Sequence, residues 1–154
     1  MSLEDNKAIV RRHLIDVLEQ GHVELIDGYY TPDGSVPEMG TPQEYRDRVL
    51  WHHKVAPGFK ITIHDMVAEG DKVMVYYTAD LTYSVVPDPP PDFPSYPFGR
   101  PVHWKIMSLG RVVDGKLVAW ESANEWIGML VKEGMYVPGK PEPAHAYKAA
   151  STDK

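Results

Sequence analysis

The sequence predicts an α+β fold in which about three N-terminal helices cover one face of an antiparallel sheet. Three observations carry that expectation. Hydrophobic residues recur three and four apart over the first third of the chain, the period changes to two from Phe59, and the strand-like segments follow one another through tight turns. Strands joined by tight turns pair antiparallel, and helices segregated from strands pack on one side of the resulting sheet.

The first helix is predicted over Asp5 to Gln20, where Ile9, Val10, His13, Leu14 and Val17 form one stripe and Gly21 supplies a left-handed stop. A shorter helix over Val23 to Tyr30 precedes the turn-forming Thr31-Pro-Asp-Gly. Thr41-Pro42-Gln43-Glu44 combines an N-cap hydroxyl, proline at the first helical position and a glutamate placed to bond back to the cap, so a third helix starts there and ends before Pro57-Gly58. Phe59, Ile61 and Ile63 then alternate with polar residues, and a second strand, Lys72 to Ser84, follows Gly70-Asp71. Pro101 to Val113 and Lys116 to about Asn124 repeat that arrangement around Asp114-Gly115, a strong two-residue hairpin signal.

Composition narrows the function classes. The 154 residues are 43% hydrophobic and carry a net charge of -6, so a nucleic acid or an anionic membrane is not expected as a partner. With 0 Cys there is no thiolate nucleophile and no disulfide, which fits a reducing compartment; together with a polar Met1–Lys7 segment this gives the expectation of a cytoplasmic protein. Residues 1–134 read as a single domain and 135–154 as a C-terminal tail or arm. Of the 14 Pro, 7 fall between Val85 and Pro101, in a stiff loop between the second and third strands expected to border a pocket or a subunit contact.

Hairpin parity sorts the side chains. A two-residue turn at Asp114-Gly115 puts Leu109 opposite Trp120, Met107 opposite Ser122, Lys105 opposite Asn124 and His103 opposite Trp126, all on one face. Trp104, Ile106 and Ser108 then share the other face with Glu121 and Glu125. In the first hairpin the same rule places Asp80 beside Ile61 and Ile63, where apolar surroundings would raise its pKa toward use as an acid or base. A structural role for Asp80, bonding loop backbone or Arg100, stands beside the catalytic one. His13, in an apolar stripe, and His52, near the end of the third helix, are more often hydrogen-bonded core residues than ligands. No metal-ligand spacing, phosphate-binding glycine loop or nucleophile elbow is present, and no metal or cofactor is expected. Tyr76, Tyr77, Trp104, Trp120 and Trp126 gather near one end of the two hairpins, where a curved sheet closed by helices would leave an aromatic-walled pocket.

In the order of its elements, together with Gly70-Asp71-Lys72-Val73, the run Val113 to Glu121, Arg11-Arg12-His13 and Ile127-Gly128-Met129-Leu130, the chain resembles the SnoaL-like polyketide cyclase family of the nuclear transport factor two superfamily. The resemblance covers about Asn6 to Gly134. It implies a curved antiparallel sheet wrapped into a cone by helices, a pocket for a small apolar, ester- or polyketide-like molecule, and a homodimer or homotetramer. Family cyclases use a carboxylate four residues after the tryptophan of the last strand; Asn124 stands at that position here, and an amide takes up no proton near neutral pH. The spacing from Trp120 to Gly128 is one residue longer than usual, so a bulge there would turn Glu121, or Glu125, inward.

Two functions remain open at the level of sequence. One is a cofactor-independent cyclase, lyase or isomerase with Asp80, Glu121 and His103 as proton carriers and Asn124 polarising a carbonyl. The other is a binding or oligomerisation module that has lost the catalytic acid. In either case His13, Tyr45, His52, Tyr77, Trp104, Met107, Trp120 and Trp126 are the candidate pocket residues.

Overall fold

A computed structural model describes residues 1–30, 40–84, 99–125 and 128. The Pro-rich segment from 85 to 98, Trp126 and the tail lie outside the described residues.

Ser2 opens α1 (Leu3–Arg12) by accepting the Asp5 N–H at 3.1 Å, and Asp5 accepts the Ser2 N–H in return at 2.9 Å. Those bonds hold the Asp5 carboxyl below its ordinary range. The predicted single helix continues as a π-helical segment, His13–Glu19, in which the Gln20 N–H reaches back to the Ile15 carbonyl at 2.9 Å. It stops at Gly21, with φ +75°, where His53 Nε2 meets the Leu18 carbonyl at 2.9 Å. The second helix is a 3-10 turn, Val23–Leu25, followed by α2 (Ile26–Tyr29). Thr41 and Glu44 form the expected capping box of α3 (Pro42–Val55).

Four strands follow, β1 (Lys60–Glu69), β2 (Lys72–Thr82), β3 (Pro101–Val113) and β4 (Lys116–Asn124), in the order β1-β2-β3-β4, all antiparallel. The sheet is curved and not closed. Asp114 (φ 50°) and Gly115 (φ 79°) make the predicted two-residue turn between Val113 and Lys116.

Two bulges set the faces of this sheet. In β1, Ile63 pairs with Tyr77 and Asp65 with Tyr76, leaving His64 as an extra residue; in β4, Leu117 pairs with Val112 and Ala119 with Arg111, leaving Val118 extra. One extra residue reverses which face every later side chain occupies. Of the cross-strand rows on the concave face, four bear on the site. They are Ile61–Ala79–Trp104, Ile63–Tyr77–Ile106–Asn124, Met66–Val75–Ser108–Ser122 and Ala68–Val73–Gly110–Trp120. The helices cover this face, and Val10, Leu14, Val17 and Ile26 join Val73, Val75 and Leu117 in a fully buried core. Asn6 ties α1 to the β1–β2 turn through its amide and the Gly70 carbonyl at 2.9 Å. The Glu19 carboxylate accepts the Ile61 N–H at 2.6 Å and the Lys60 ammonium at 2.5 Å, which occupies the open edge of β1.

Candidate functional site

The polar groups of the concave face are uncharged. His13, at the junction of α1 and its π-helical continuation, is fully buried, its ring 4.9 Å from that of Trp120 and stacked on Tyr45 at 5.7 Å. Tyr30 Oη approaches its Nδ1 at 3.4 Å and Tyr45 Oη its Nε2 at 3.3 Å. A neutral imidazole has one N–H and one bare nitrogen, so one tyrosine accepts from the ring and the other donates to it. Burial with no compensating anion pushes the His13 pKa down to about 3. Burial, with Tyr30 and Tyr77 close by, raises Tyr45 well above its ordinary value. Tyr77 is pushed up to about 12, also by burial. At neutral pH every one of these groups is neutral.

A second set of hydroxyls lies further along the same face. Register places Ser108 beside Ser122, and their Oγ atoms are 2.9 Å apart; Tyr77 Oη meets Ser108 at 3.4 Å. Asn124 follows in the next row, opposite Ile106, with an exposed side chain. Trp104 is half-buried in the row beyond. The face thus grades from the sealed His13 cluster through paired hydroxyls to an exposed amide and a half-buried indole. Ser108, Ser122 and Tyr30 were absent from the sequence candidates. The serines stand in otherwise apolar strands, a signal that acquires meaning only once the register makes them neighbours.

The structure brings His13, Tyr45, Tyr77, Trp104, Trp120 and Asn124 to the concave side. It does not bring Glu121, Asp80, His103 or Met107 there. The Val118 bulge pairs Trp120 with Gly110 instead of Leu109, which leaves Glu121 exposed opposite Leu109 and Met107 exposed opposite Ala123. The bulge that matters precedes Trp120, so Asn124 shares the tryptophan's face and Glu121 does not. The His64 bulge does the same in the first hairpin: Ile61 pairs with Ala79, and Asp80 falls on the convex face between Lys60 and His103. Asp80 is therefore not among aliphatic neighbours; its carboxylate bonds His103 Nδ1 at 2.7 Å, with both side chains about half exposed. His52 packs against Phe59 and Tyr83, with Tyr83 Oη at 3.4 Å, and burial aided by His53 lowers its pKa to about 4. Trp126 lies outside the described residues. Among those described, no group of three metal-ligating side chains is close enough to hold an ion, and no helix is long and apolar enough to cross a membrane.

Chemically, the concave face carries neutral donors and acceptors, of which Tyr77 and Ser108 are buried and Asn124 is exposed. Among the described residues it presents no carboxylate to abstract a proton.

Comparison with known proteins places the arrangement. TsrD from Streptomyces laurentii superposes with a TM-score of 0.70 at 16% identity, over 87% of this chain and 98% of that one. A protein from Acidithiobacillus ferrooxidans, provisionally assigned as a polyketide cyclase, gives 0.65 at 21% identity over 86% and 96%. An LEH-like epoxide hydrolase from M. tuberculosis gives 0.61 at 16% identity over 84% and 89%. At these identities the likeness is one of fold. No curated protein matches the sequence significantly. The family model of the SnoaL-like domain matches residues 10–120, a span that includes His13, α3 and all of the sheet up to Trp120, and the chain belongs to the SnoaL-like family.

Proposed function

We propose that this protein binds a small, uncharged, largely apolar molecule of polyketide or ester type in its cone, and binds it without the acid/base turnover of a cyclase. One observation carries the reading. Asn124 shares the concave face with Tyr77, Ser108 and Ser122, while Glu121, the nearest carboxylate on β4, points to the other side. The amide donates to a ligand carbonyl, the hydroxyls meet a second oxygen, and Trp104 supplies an apolar wall. No cofactor takes part.

The alternative is a cofactor-independent cyclase, lyase or isomerase. The enzymes among its structural relatives favour that reading, although one fold hosts many functions. The discriminating experiment compares wild type, Asn124→Asp and Glu121→Gln for binding and cyclisation of small aromatic polyketide esters, with cyclised product separated from hydrolysed ester by mass spectrometry. Binding by calorimetry without cyclisation in wild type, with cyclisation appearing in Asn124→Asp, supports the binding reading. Cyclisation by wild type that Glu121→Gln abolishes would overturn it.

The same proposal includes a homo-oligomer, a dimer or tetramer. Val67 pairs with Met74 and Met74 with Leu109, while Tyr76 pairs with Met107, so two adjacent rows of the convex face hold an apolar patch, with Val67, Met74, Tyr76 and Met107 exposed and the carboxylates of Asp65 and Glu121 at the ends of the rows. A second copy presents the same apolar patch and is the occupant we propose. A cytoplasmic location belongs to this reading too, supported by a sequence with 0 Cys.

A further inference from the structure

Strand β1 begins at Lys60, whereas β2 and β3 run on as a pair to Thr82 and Pro101. The space left beside the end of β2 is an open groove of about 500 Å³, bordered by Pro57, Leu81 and Pro101 and reached by Lys60, Asp80 and His103. Asp80 and His103 stand opposite each other on the convex side, away from the neutral polar face of the cone.

The bond between them fixes the place of one proton. A carboxylate at neutral pH only accepts, so at 2.7 Å the Asp80 oxygen requires the proton on His103 Nδ1. In the neutral ring Nε2 is then the bare nitrogen, and no other hydrogen bond to it occurs among the described residues. An imidazole held in one tautomer by a carboxylate, beside an apolar recess, is the arrangement of a general base. Lys60 does not compete for Asp80, since its ammonium pairs with Glu19 at 2.5 Å.

We propose that this groove is a second site, independent of the cone, in which His103 acts as general base for the hydrolysis of small aryl esters and Asp80 is its positioning residue. The apolar border takes the acyl and aryl carbons. His103 Nε2 accepts a proton from water as the water oxygen bonds to the carbonyl carbon; the tetrahedral intermediate collapses, the C–O bond to the aryloxide breaks, and the imidazolium returns its proton to the aryloxide. The products are a carboxylic acid and a phenol. An aryl ester is the class indicated because a good leaving group departs without further acid assistance.

The surface supplies its own control. His22 also meets a carboxylate, Glu24, through Nδ1 at 2.9 Å, but it does not line the groove. Hydrolysis of 4-nitrophenyl acetate by the full chain should saturate with substrate, and His103→Gln should lower kcat/KM about tenfold or more, within the usual range for losing a general base. His22→Gln should leave the rate within about twofold. Both substitutions are on exposed positions, and melting curves check that each variant is folded. Ring nitrogen-15 NMR should report the Nδ1–H tautomer of His103 in wild type and its loss in Asp80→Asn, together with a reduced rate. Equal effects of His22→Gln and His103→Gln, or an unchanged rate in His103→Gln, would overturn the proposal.

Discussion

The Trp120 ring occupies the space that a side chain on Gly110 would need: a Cβ there would lie 3.2 Å from two ring carbons and 3.1 Å from Leu117 Cδ1. The pairing follows from the Val118 bulge, which brings Trp120 opposite Gly110 and sends its indole inward to His13. A glycine in the middle of a strand weakens it, and here that weakness is offset by close aromatic packing.

Gly110→Val should therefore overpack the core by displacing Trp120 and Leu117. A loss of about 1–3 kcal/mol is expected, measurable as a lower urea midpoint with an unchanged slope. Far-ultraviolet circular dichroism should hardly change, whereas tryptophan fluorescence should shift as the ring moves.

Acid should destabilise the fold through His13. Its folded-state pKa of about 3 lies below the ordinary 6.5, so between those values the unfolded chain holds a proton that the folded chain does not. The associated stability is fully present above about pH 6.5 and is lost as pH falls toward 3. The full loss is on the order of 5 kcal/mol, of which roughly two thirds is reached by pH 4. Chemical denaturation at pH 7 and pH 4 should show it, and His13→Gln should have a flatter pH dependence, though a lower stability at pH 7. A His13→Gln profile parallel to wild type would show that other groups govern the acid response.

Ser108 is the middle member of the Tyr77–Ser108–Ser122 chain, accepting or donating at 3.4 Å and 2.9 Å. Ser108→Ala removes both links at once and should cost about 1–2 kcal/mol, the usual penalty for stranding buried partners. Ser122→Ala removes one link at the more open end and should cost less. Ligand affinity should fall in both if the hydroxyls face the guest, which titration calorimetry checks.

Met107, exposed on the convex face between Tyr76 and Ala123, is the position at which to test association. Met107→Glu places a charge in the middle of the apolar rows. Light scattering should show wild type as an oligomer and the variant as a monomer, with melting of the isolated chain little changed because the side chain is already half exposed. A variant with the wild-type mass would rule this face out as the interface.

Local chemistry made much of this fold legible from the chain alone. The Thr41–Glu44 capping box, the Gly21 stop and the Asp114-Gly115 turn each depend on a few neighbouring residues, and each appears where the sequence predicts it. The Ser2–Asp5 cap is equally local and starts α1 two residues before the predicted Asp5. The α+β order, with helices on one sheet face, follows from those pieces and from hydrophobic periodicity. What only the tertiary structure decided was the direction of each strand's side chains. His64 and Val118 carry no sequence mark of a bulge, since a bulge is a property of two strands meeting and not of either strand. Because side chains alternate with a period of two, these single insertions put Trp120 and Asn124 on the face with Ser108, moved Asp80 onto the outer face beside His103, and left Glu121 outside. Residue identity thus determined which polar groups the protein possesses, and strand registry determined which of them can meet a ligand together.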